Sequence, residues 1–148
     1  MTDSSYTHLV VVMDRSGSMA SIKTDMEGAI NTLFEEQTKL PGKCLVDLVQ
    51  FDDQYDVTFQ DTDVKFAKAS LQPRGMTALL DAIGKTIAQT GIKLDKLPEA
   101  ERPGTVIVAV VTDGHENSSH EYTADTIREM IKHQTDNYQW NFTFLGAN

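Results

Sequence analysis

The chain has 148 residues and a formal net charge of −9, from 22 acidic and 13 basic side chains, and 40% of its residues are hydrophobic. This length and composition suit one globular domain over residues 1–148, and the negative charge argues against a surface for nucleic acid or an anionic membrane. A single cysteine excludes an intrachain disulfide. The first apolar run is too short for a secretory signal or a membrane span. We therefore expect a cytoplasmic protein.

Short apolar runs alternate with amphipathic segments along the chain. The apolar and alternating patterns predict strands over residues 8–13, 43–51, 55–59, 105–111 and 140–145. Helices are predicted over residues 21–38, 64–70, 77–91 and 123–133. Residues 94–104 are polar and contain two prolines, which predicts a surface loop.

The order of these elements indicates the fold class. Apolar strands that alternate with amphipathic helices are typical of an α/β protein with a mostly parallel sheet. Asp52-Asp53-Gln54 predicts a hairpin turn, so the third strand should be a short antiparallel strand at the sheet edge. We predict a Rossmann-like, doubly wound sheet with helices on both faces.

Two of the predicted strands stop abruptly at an aspartate, Asp14 and Asp113. In open α/β sheets, ligands bind beyond the carboxyl ends of the strands, where the strand order reverses. If these two strands are neighbours, both carboxylates lie at the same edge. Ser16 and Ser18 follow Asp14 at alternate positions, and Thr77 adds a hydroxyl at a helix start. These oxygens suit an octahedral hard cation such as Mg²⁺, with one position left for water or an outside ligand.

Taken together, these motifs identify a family resemblance. The sequence resembles a von Willebrand factor type A (VWA) domain with a metal-ion-dependent adhesion site (MIDAS). The resemblance is carried by DRSGSM at 14–19, GMTALLDAI at 75–83 and TDGHEN at 112–117, in the order that the family shows. The wording of these motifs is most similar to small intracellular bacterial and phage members.

The resemblance implies a bound metal and a role for each ligand. The metal would be Mg²⁺, with Mn²⁺ as a substitute. Ser16 and Ser18 would bind it directly. Thr77 would bind directly or through water. Asp14 and Asp113 would often act through water.

The resemblance also implies a binding partner. In this family the open coordination position takes a carboxylate from a protein partner. Full-length members usually continue beyond the last predicted strand with at least one more helix, whereas this chain stops at Asn148. We therefore expect C-terminal elements of the family to be missing, and the sheet edge there to be available for oligomer formation.

Several alternative interpretations start from the same residues. Asp14, Ser16 and Ser18 alone would also fit a turn or a helix cap. A calcium loop needs glycine where Met19 stands. An aspartate-nucleophile phosphatase needs a second acid at the position of Ser16. Hydroxyl ligands are neutral, so the metal keeps much of its positive charge. This favours binding of an incoming carboxylate over activation of water. We therefore expect a protein without enzymatic activity. Two alternatives remain: a Mg²⁺-dependent phosphatase or hydrolase, and a structural or assembly protein that uses its C-terminal sheet edge.

Several other residues of types that can bind ligands or react are expected to have structural roles. Gly84-Lys85-Thr86 lies inside a predicted helix and lacks the spacing of a phosphate-binding loop. Arg15 is expected to be a solvated side chain near the acids. Cys44 is expected to be a small buried hydrophobe at a strand start, and His8 to be structural or exposed.

Overall fold

A computed structural model of the protein describes residues 3–15, 17, 19, 23–69, 73, 75, 78–112, 119 and 121–145. Within these residues the strands are β1 (Asp3–Asp14), β2 (Lys43–Phe51), β3 (Tyr55–Asp63), β4 (Pro103–Val111) and β5 (Asn141–Leu145). The α-helices are α1 (Lys23–Thr38), α2 (Leu79–Asp95) and α3 (Ala124–Tyr138). Short 3₁₀ turns lie at Val64–Phe66 and Glu99–Glu101.

The described strands form one sheet in the order β3-β2-β1-β4-β5. β1 is parallel to both β2 and β4, and β5 is parallel to β4, whereas β3 is antiparallel to β2. The chain moves from β1 outwards to β3 and then returns to β4 on the other side of β1. The strand order therefore reverses between β1 and β4, which makes the sheet doubly wound. This confirms the predicted fold class.

Helices cover both faces of the sheet, which explains why the central strands are apolar throughout rather than alternating. The odd-numbered residues of β1 pack against α1 in a cluster that includes Leu9, Val11, Met13, Met26, Ile30 and Phe34. The even-numbered residues pack against α2 and α3 in a cluster that includes Val10, Val12, Ala82, Ile83, Ile87 and Ile127. The predicted helix stripes are thus the faces that bury these residues.

The structure corrects the predicted lengths of several elements. β3 is not short but has nine residues, most of them exposed. An edge strand needs only backbone hydrogen bonds to β2, so the polar residues 60–63 continue it without an apolar pattern. The predicted helix over 64–70 is only the 3₁₀ turn Val64–Phe66 in the described residues. The predicted loop over 94–104 is shorter, because α2 reaches Asp95 and β4 begins at Pro103.

Two expectations from composition can be compared with the structure. Cys44 is buried, as predicted. Burial, with the nearby charge of Asp63, raises the pKa of its thiol to about 11, so the unreactive protonated form dominates at neutral pH. Among the residues that the structure describes, no helix is both long enough and apolar enough to cross a membrane.

Candidate metal centre

β1 and β4 end side by side at the point where the strand order reverses. Met13 is paired with Val111, so Asp14, the last residue of β1, and Thr112, the residue after β4, are neighbours. The Thr112 hydroxyl donates a hydrogen bond of 2.8 Å to Oδ2 of Asp14. Both side chains are buried. A hydroxyl donor is neutral, so this contact orients the carboxylate without cancelling its charge.

The segment after β1 is joined to the segment before α2. The backbone N–H of Gly17 donates to the carbonyl oxygen of Gly75 at 3.0 Å. Gly75 has φ +73°, and a Cβ there would lie 3.0 Å from Oδ1 of Asp53 and 3.1 Å from Cβ of Asp52. Glycine is therefore required both by the left-handed backbone and by the close approach of the hairpin turn. This contact brings the first two sequence motifs to the same edge of the sheet.

The hairpin turn after β2 supports both segments. The N–H of Arg15 donates to the carbonyl of Phe51 at 2.7 Å, and the N–H of Ala78 donates to the carbonyl of Asp52 at 2.8 Å. Oδ1 of the buried Asp52 accepts from the N–H of Gln54 at 2.6 Å, which closes the turn. The turn thus holds the end of β1 and the start of α2 at fixed positions.

Arg15 is not the solvated side chain that the sequence predicted. Its side chain is 13% exposed and lies between two carboxylates of the β2–β3 hairpin. Nε is 3.4 Å from Oδ2 of Asp52, without the alignment of a hydrogen bond, and Nη1 donates to Oδ2 of Asp56 at 3.3 Å. The prediction was wrong because these partners are 37 and 41 positions away and meet Arg15 only through the pairing of β1 with β2.

The third motif is anchored on both sides. At its start, the N–H of Thr112 donates to the carbonyl of Leu145 at 3.0 Å. Beyond it, Oδ1 of Asp81 accepts from the N–H groups of Glu121 and Tyr122, each at 2.9 Å. These bonds attach the chain leaving the third motif to the first turn of α2.

Two further contacts tighten this attachment. Ser119 Oγ accepts from the N–H of Asp81 at 3.0 Å. The ring of Tyr122 lies so close to Gly84 that a Cβ there would be 2.5 Å from a ring carbon. Gly84 therefore serves helix packing in α2, in agreement with its interpretation as a helical residue rather than part of a phosphate loop.

Of the five predicted ligands, only Asp14 lies within the described residues. Ser16, Ser18, Thr77 and Asp113 lie outside them. The described residues next to these four do meet, through Gly17 with Gly75 and Thr112 with Asp14. A buried carboxylate at a strand end, next to segments that carry hydroxyls, is a donor set that fits a hard cation.

The sequence did not indicate the residues that support this edge. Asp52 and Asp81 carry no metal-ligand spacing, and their roles depend on which distant segments they contact. The one signal was position, because Asp81 lies within the GMTALLDAI motif and Asp52 directly follows a buried strand.

A second group of ligand-type side chains lies near the middle of β1. His8, Asp47 and Asp61 offer ligand atoms within 4.8 Å of one another. His8 Nε2 is 2.9 Å from Oδ2 of Asp47, and the hydroxyl of Tyr6 is 2.9 Å from Nδ1 of His8. An ionised Asp47 only accepts, so Nε2 of His8 carries the hydrogen of that contact, and Nδ1 shares a hydrogen bond with the Tyr6 hydroxyl. We call Tyr6, His8, Asp47, Asp61 and Lys93 the buried polar cluster.

The ammonium group of Lys93 already lies between the carboxylates of the buried polar cluster, where a bound cation would lie. Its Nζ lies 3.1 and 3.0 Å from the two carboxylate oxygens of Asp47 and 2.8 Å from Oδ1 of Asp61. Burial opposes ionisation of Asp47, but the contacts with His8, the N–H of Asp61 and the charge of Lys93 outweigh it and lower its pKa. The ammonium group therefore does what a metal would do, and this cluster is structural.

In α/β proteins with a doubly wound sheet, ligands generally bind where the strand order reverses, and in this chain a buried carboxylate lies at that place. No family model matches the sequence, and a comparison with curated proteins found no match. Solved structures of VWA domains do match, so the fold is that of a VWA domain, as the sequence motifs indicated.

Three of these structures illustrate the likeness. A von Willebrand factor type A protein from Catenulispora acidiphila is 22% identical with a TM-score of 0.61, over 95% of this chain and 32% of its own. BatB from Bacteroides thetaiotaomicron is 18% identical with a TM-score of 0.60, and the match covers 95% of this chain and 66% of BatB. Manganese-loaded TRAP from Plasmodium vivax is 15% identical with a TM-score of 0.63, and the match covers 97% of this chain and 59% of TRAP. The chain thus spans about a third to two thirds of the length of these proteins.

Proposed function

We propose that this protein is a Mg²⁺-dependent protein-binding module in which an Asp or Glu of the partner completes the metal coordination. The observation that carries the proposal is the buried Asp14 carboxylate, held by the Thr112 hydroxyl where the strand order reverses. The Gly17–Gly75 hydrogen bond supports it, because it brings the motifs that contain Ser16, Ser18 and Thr77 to the same edge.

The proposed ligands are oxygen donors of Asp14, Ser16, Ser18, Thr77 and Asp113. Three hydroxyls and two carboxylates match Mg²⁺, which prefers six oxygen ligands, and Mn²⁺ can replace it. The manganese-loaded state of the TRAP protein, which shares this fold, supports a divalent cation here. The metal would supply a Lewis-acidic cation at the sheet edge with one coordination position for an outside oxygen, and the chain's own residues would hold it there.

The proposed module is non-catalytic. A cation with hydroxyl ligands keeps enough charge to bind an incoming carboxylate. The partner is then an acidic side chain of another protein in the cytoplasm, and not nucleic acid or a membrane, since the chain itself carries a charge of −9.

Calorimetric titration with Mg²⁺ tests the metal site. We expect saturable binding by the wild type and at least about a hundredfold weaker binding by Asp14→Ala, because a buried ligand is lost. Asp136→Ala is the matched control, since it removes one exposed carboxylate from α3 and should leave the affinity unchanged. Equal Mg²⁺ binding by Asp14→Ala and the wild type would refute the site.

A second measurement tests the partner carboxylate. The protein would be immobilised through its N-terminus and mixed with a cell extract that contains either Mg²⁺ or EDTA. We expect a captured protein that is released by EDTA and is not captured by Asp14→Ala. Capture that is equal in Mg²⁺ and EDTA would contradict a metal-bridged interaction.

A further inference from the structure

A groove of about 1030 Å³ lies between α2 and α3, on the sheet face opposite α1. Its floor includes the buried residues Val106 and Trp140, and it extends to Pro103 at the start of β4. From Pro103 to Thr112 the strand rises about 30 Å at roughly 3.3 Å per residue. The groove is therefore far from the candidate metal centre, at the other end of the sheet.

The α2 wall of the groove is open. A Cβ built at Gly91 would meet nothing within 4 Å, and Ala88 one turn earlier is also small. The α2 residues along the groove, from Ile87 to Asp95, extend over about 12 Å at 1.5 Å per residue. This wall leaves room for a second backbone of about two helical turns.

The borders of the groove are both apolar and acidic. Ile92 on α2 is 58% exposed and Tyr138 on α3 is 63% exposed, and both line the groove. Asp95, Glu99 and Glu129 add exposed carboxylates to the same borders.

Among the described residues that line the groove, Arg102 carries a permanent positive charge. Its guanidinium group already donates to two backbone carbonyl groups. Nε donates to the carbonyl of Leu97 and Nη2 to the carbonyl of Asp95, both at 3.0 Å. Nη2 also lies 3.8 Å from Oδ1 of Asp95, so these two charges offset each other. The groove therefore combines an apolar floor with a border whose net negative charge comes from Glu99 and Glu129.

We propose that this groove binds a basic, amphipathic helical segment of a protein partner. Such a segment places apolar side chains at i, i+3 or i+4 and i+7 into the groove, and its Lys or Arg side chains face the acidic border. A second copy of this chain would bring another molecule of net charge −9 against that border. Charge complementarity thus selects a basic partner.

This interaction is independent of the proposed metal-dependent function, because the two sites lie at opposite ends of β4. Trp140 is the one tryptophan of the chain and lines the groove. Its fluorescence therefore reports on this site alone. Binding can be measured in EDTA, so the failure of one proposal leaves the other intact.

The probe is a synthetic peptide of about 15 residues with leucine at amphipathic helical spacing and lysine elsewhere. Titration in EDTA is followed by Trp140 fluorescence and by the anisotropy of a label on the peptide. We expect saturable binding by the wild type and at least about tenfold weaker binding by Gly91→Leu and Glu129→Lys. A Leu/Glu peptide with the same spacing should not bind.

Matched controls lie on α1, on the other face. Gly28→Leu makes the same substitution at a second helical glycine with open space around it, and Glu36→Lys makes the same charge change on an exposed position. Both should bind the Leu/Lys peptide as the wild type does. Unfolding curves establish that each variant is folded, and Glu129→Lys serves alone if Gly91→Leu is not.

Three results would overturn the proposal. The first is no saturable binding up to about 1 mM peptide, which is weaker than about −4 kcal/mol. The second is equal binding by the α1 controls and the groove variants, which would indicate a general attraction to an acidic protein. The third is equal binding of a peptide with the same composition in scrambled order.

Discussion

Strand β1 carries one buried polar centre at its carboxyl end and another near its middle, and the described contacts of the two centres differ in charge. At the carboxyl end, Asp14 accepts a hydrogen bond from the neutral Thr112 hydroxyl. Near the middle, Asp47 beside His8 contacts the ammonium group of Lys93. Both centres contain ligand-type side chains, so residue type alone does not distinguish them. The ammonium group inside the second centre is the reason for assigning that centre a structural role, whereas the neutral donor to Asp14 is compatible with the proposed metal site.

The largest effect should follow from breaking the structural centre. Asp47→Asn removes the carboxylate between His8 and Lys93 while both stay in place. We expect the free energy of unfolding to fall by about 3 kcal/mol, since a buried pair loses one partner. Urea unfolding at pH 7 measures this change. Mg²⁺ affinity of the folded variant should equal that of the wild type, and a loss of Mg²⁺ binding would show that the two centres are not separate.

Asp61→Asn is the control within the same cluster. Its side chain is 48% exposed, and its backbone has φ +50°, which asparagine tolerates. We expect a loss of under about 1 kcal/mol, as for exposed ion pairs. Equal losses for Asp61→Asn and Asp47→Asn would contradict the assignment of Asp47 as the centre of the cluster.

Acid should weaken the same cluster. The pKa of Asp47 is lowered from its ordinary value of 3.8 in the folded protein. As the pH falls, the unfolded chain takes up a proton on Asp47 before the folded chain does. The stability that this carboxylate contributes is therefore complete above pH 3.8 and is lost as the pH falls through the lower folded pKa. Urea unfolding between pH 5 and 2 should show a steeper loss for the wild type than for Asp47→Asn. Parallel curves would mean that other carboxylates control acid unfolding.

A smaller effect on stability, with a clear effect on metal binding, is expected at the carboxyl end. Gly75→Ala places a Cβ near Asp52 and Asp53 on a left-handed backbone. We expect a loss of about 1–2 kcal/mol and weaker Mg²⁺ binding, because the segment bonded to Gly17 must shift. Gly28→Ala, at an open helical position, should instead raise stability by about 0.5–1 kcal/mol. Unchanged Mg²⁺ binding by Gly75→Ala would show that the Gly17–Gly75 contact does not position the ligands.

The smallest expected effect isolates the donor to Asp14. Thr112→Val keeps the shape of the side chain and removes the hydroxyl. We expect a loss of about 1 kcal/mol and roughly tenfold weaker Mg²⁺ binding, since the carboxylate loses its orientation. Thr112→Ser keeps the hydroxyl and should retain most of the affinity in calorimetry. If valine and serine bind Mg²⁺ equally, Thr112 has no positioning role.

Much of the fold could be predicted from local pattern. The run from Thr105 to Val111 and the stripe of α1 were correctly assigned because each is buried along its length. The start of α3, predicted at residue 123, also has a local cause, since the Thr123 side chain accepts from the N–H of Thr126 and caps the helix. The true length of β3 was not predictable, because backbone pairing at a sheet edge leaves no apolar signal.

The sequence by itself determined the alternation of strands and helices and indicated Asp14 as one of five predicted ligands, because strand ends and helix starts are encoded by neighbouring residues. The tertiary structure decided everything that depends on strand order. It placed Thr112 against Asp14 across 98 positions, and His8 against Asp47 across 39. It placed the partly exposed Arg15 between Asp52 and Asp56. Local periodicity shows which side of an element is buried, but only the order of strands in the sheet decides which distant charges meet.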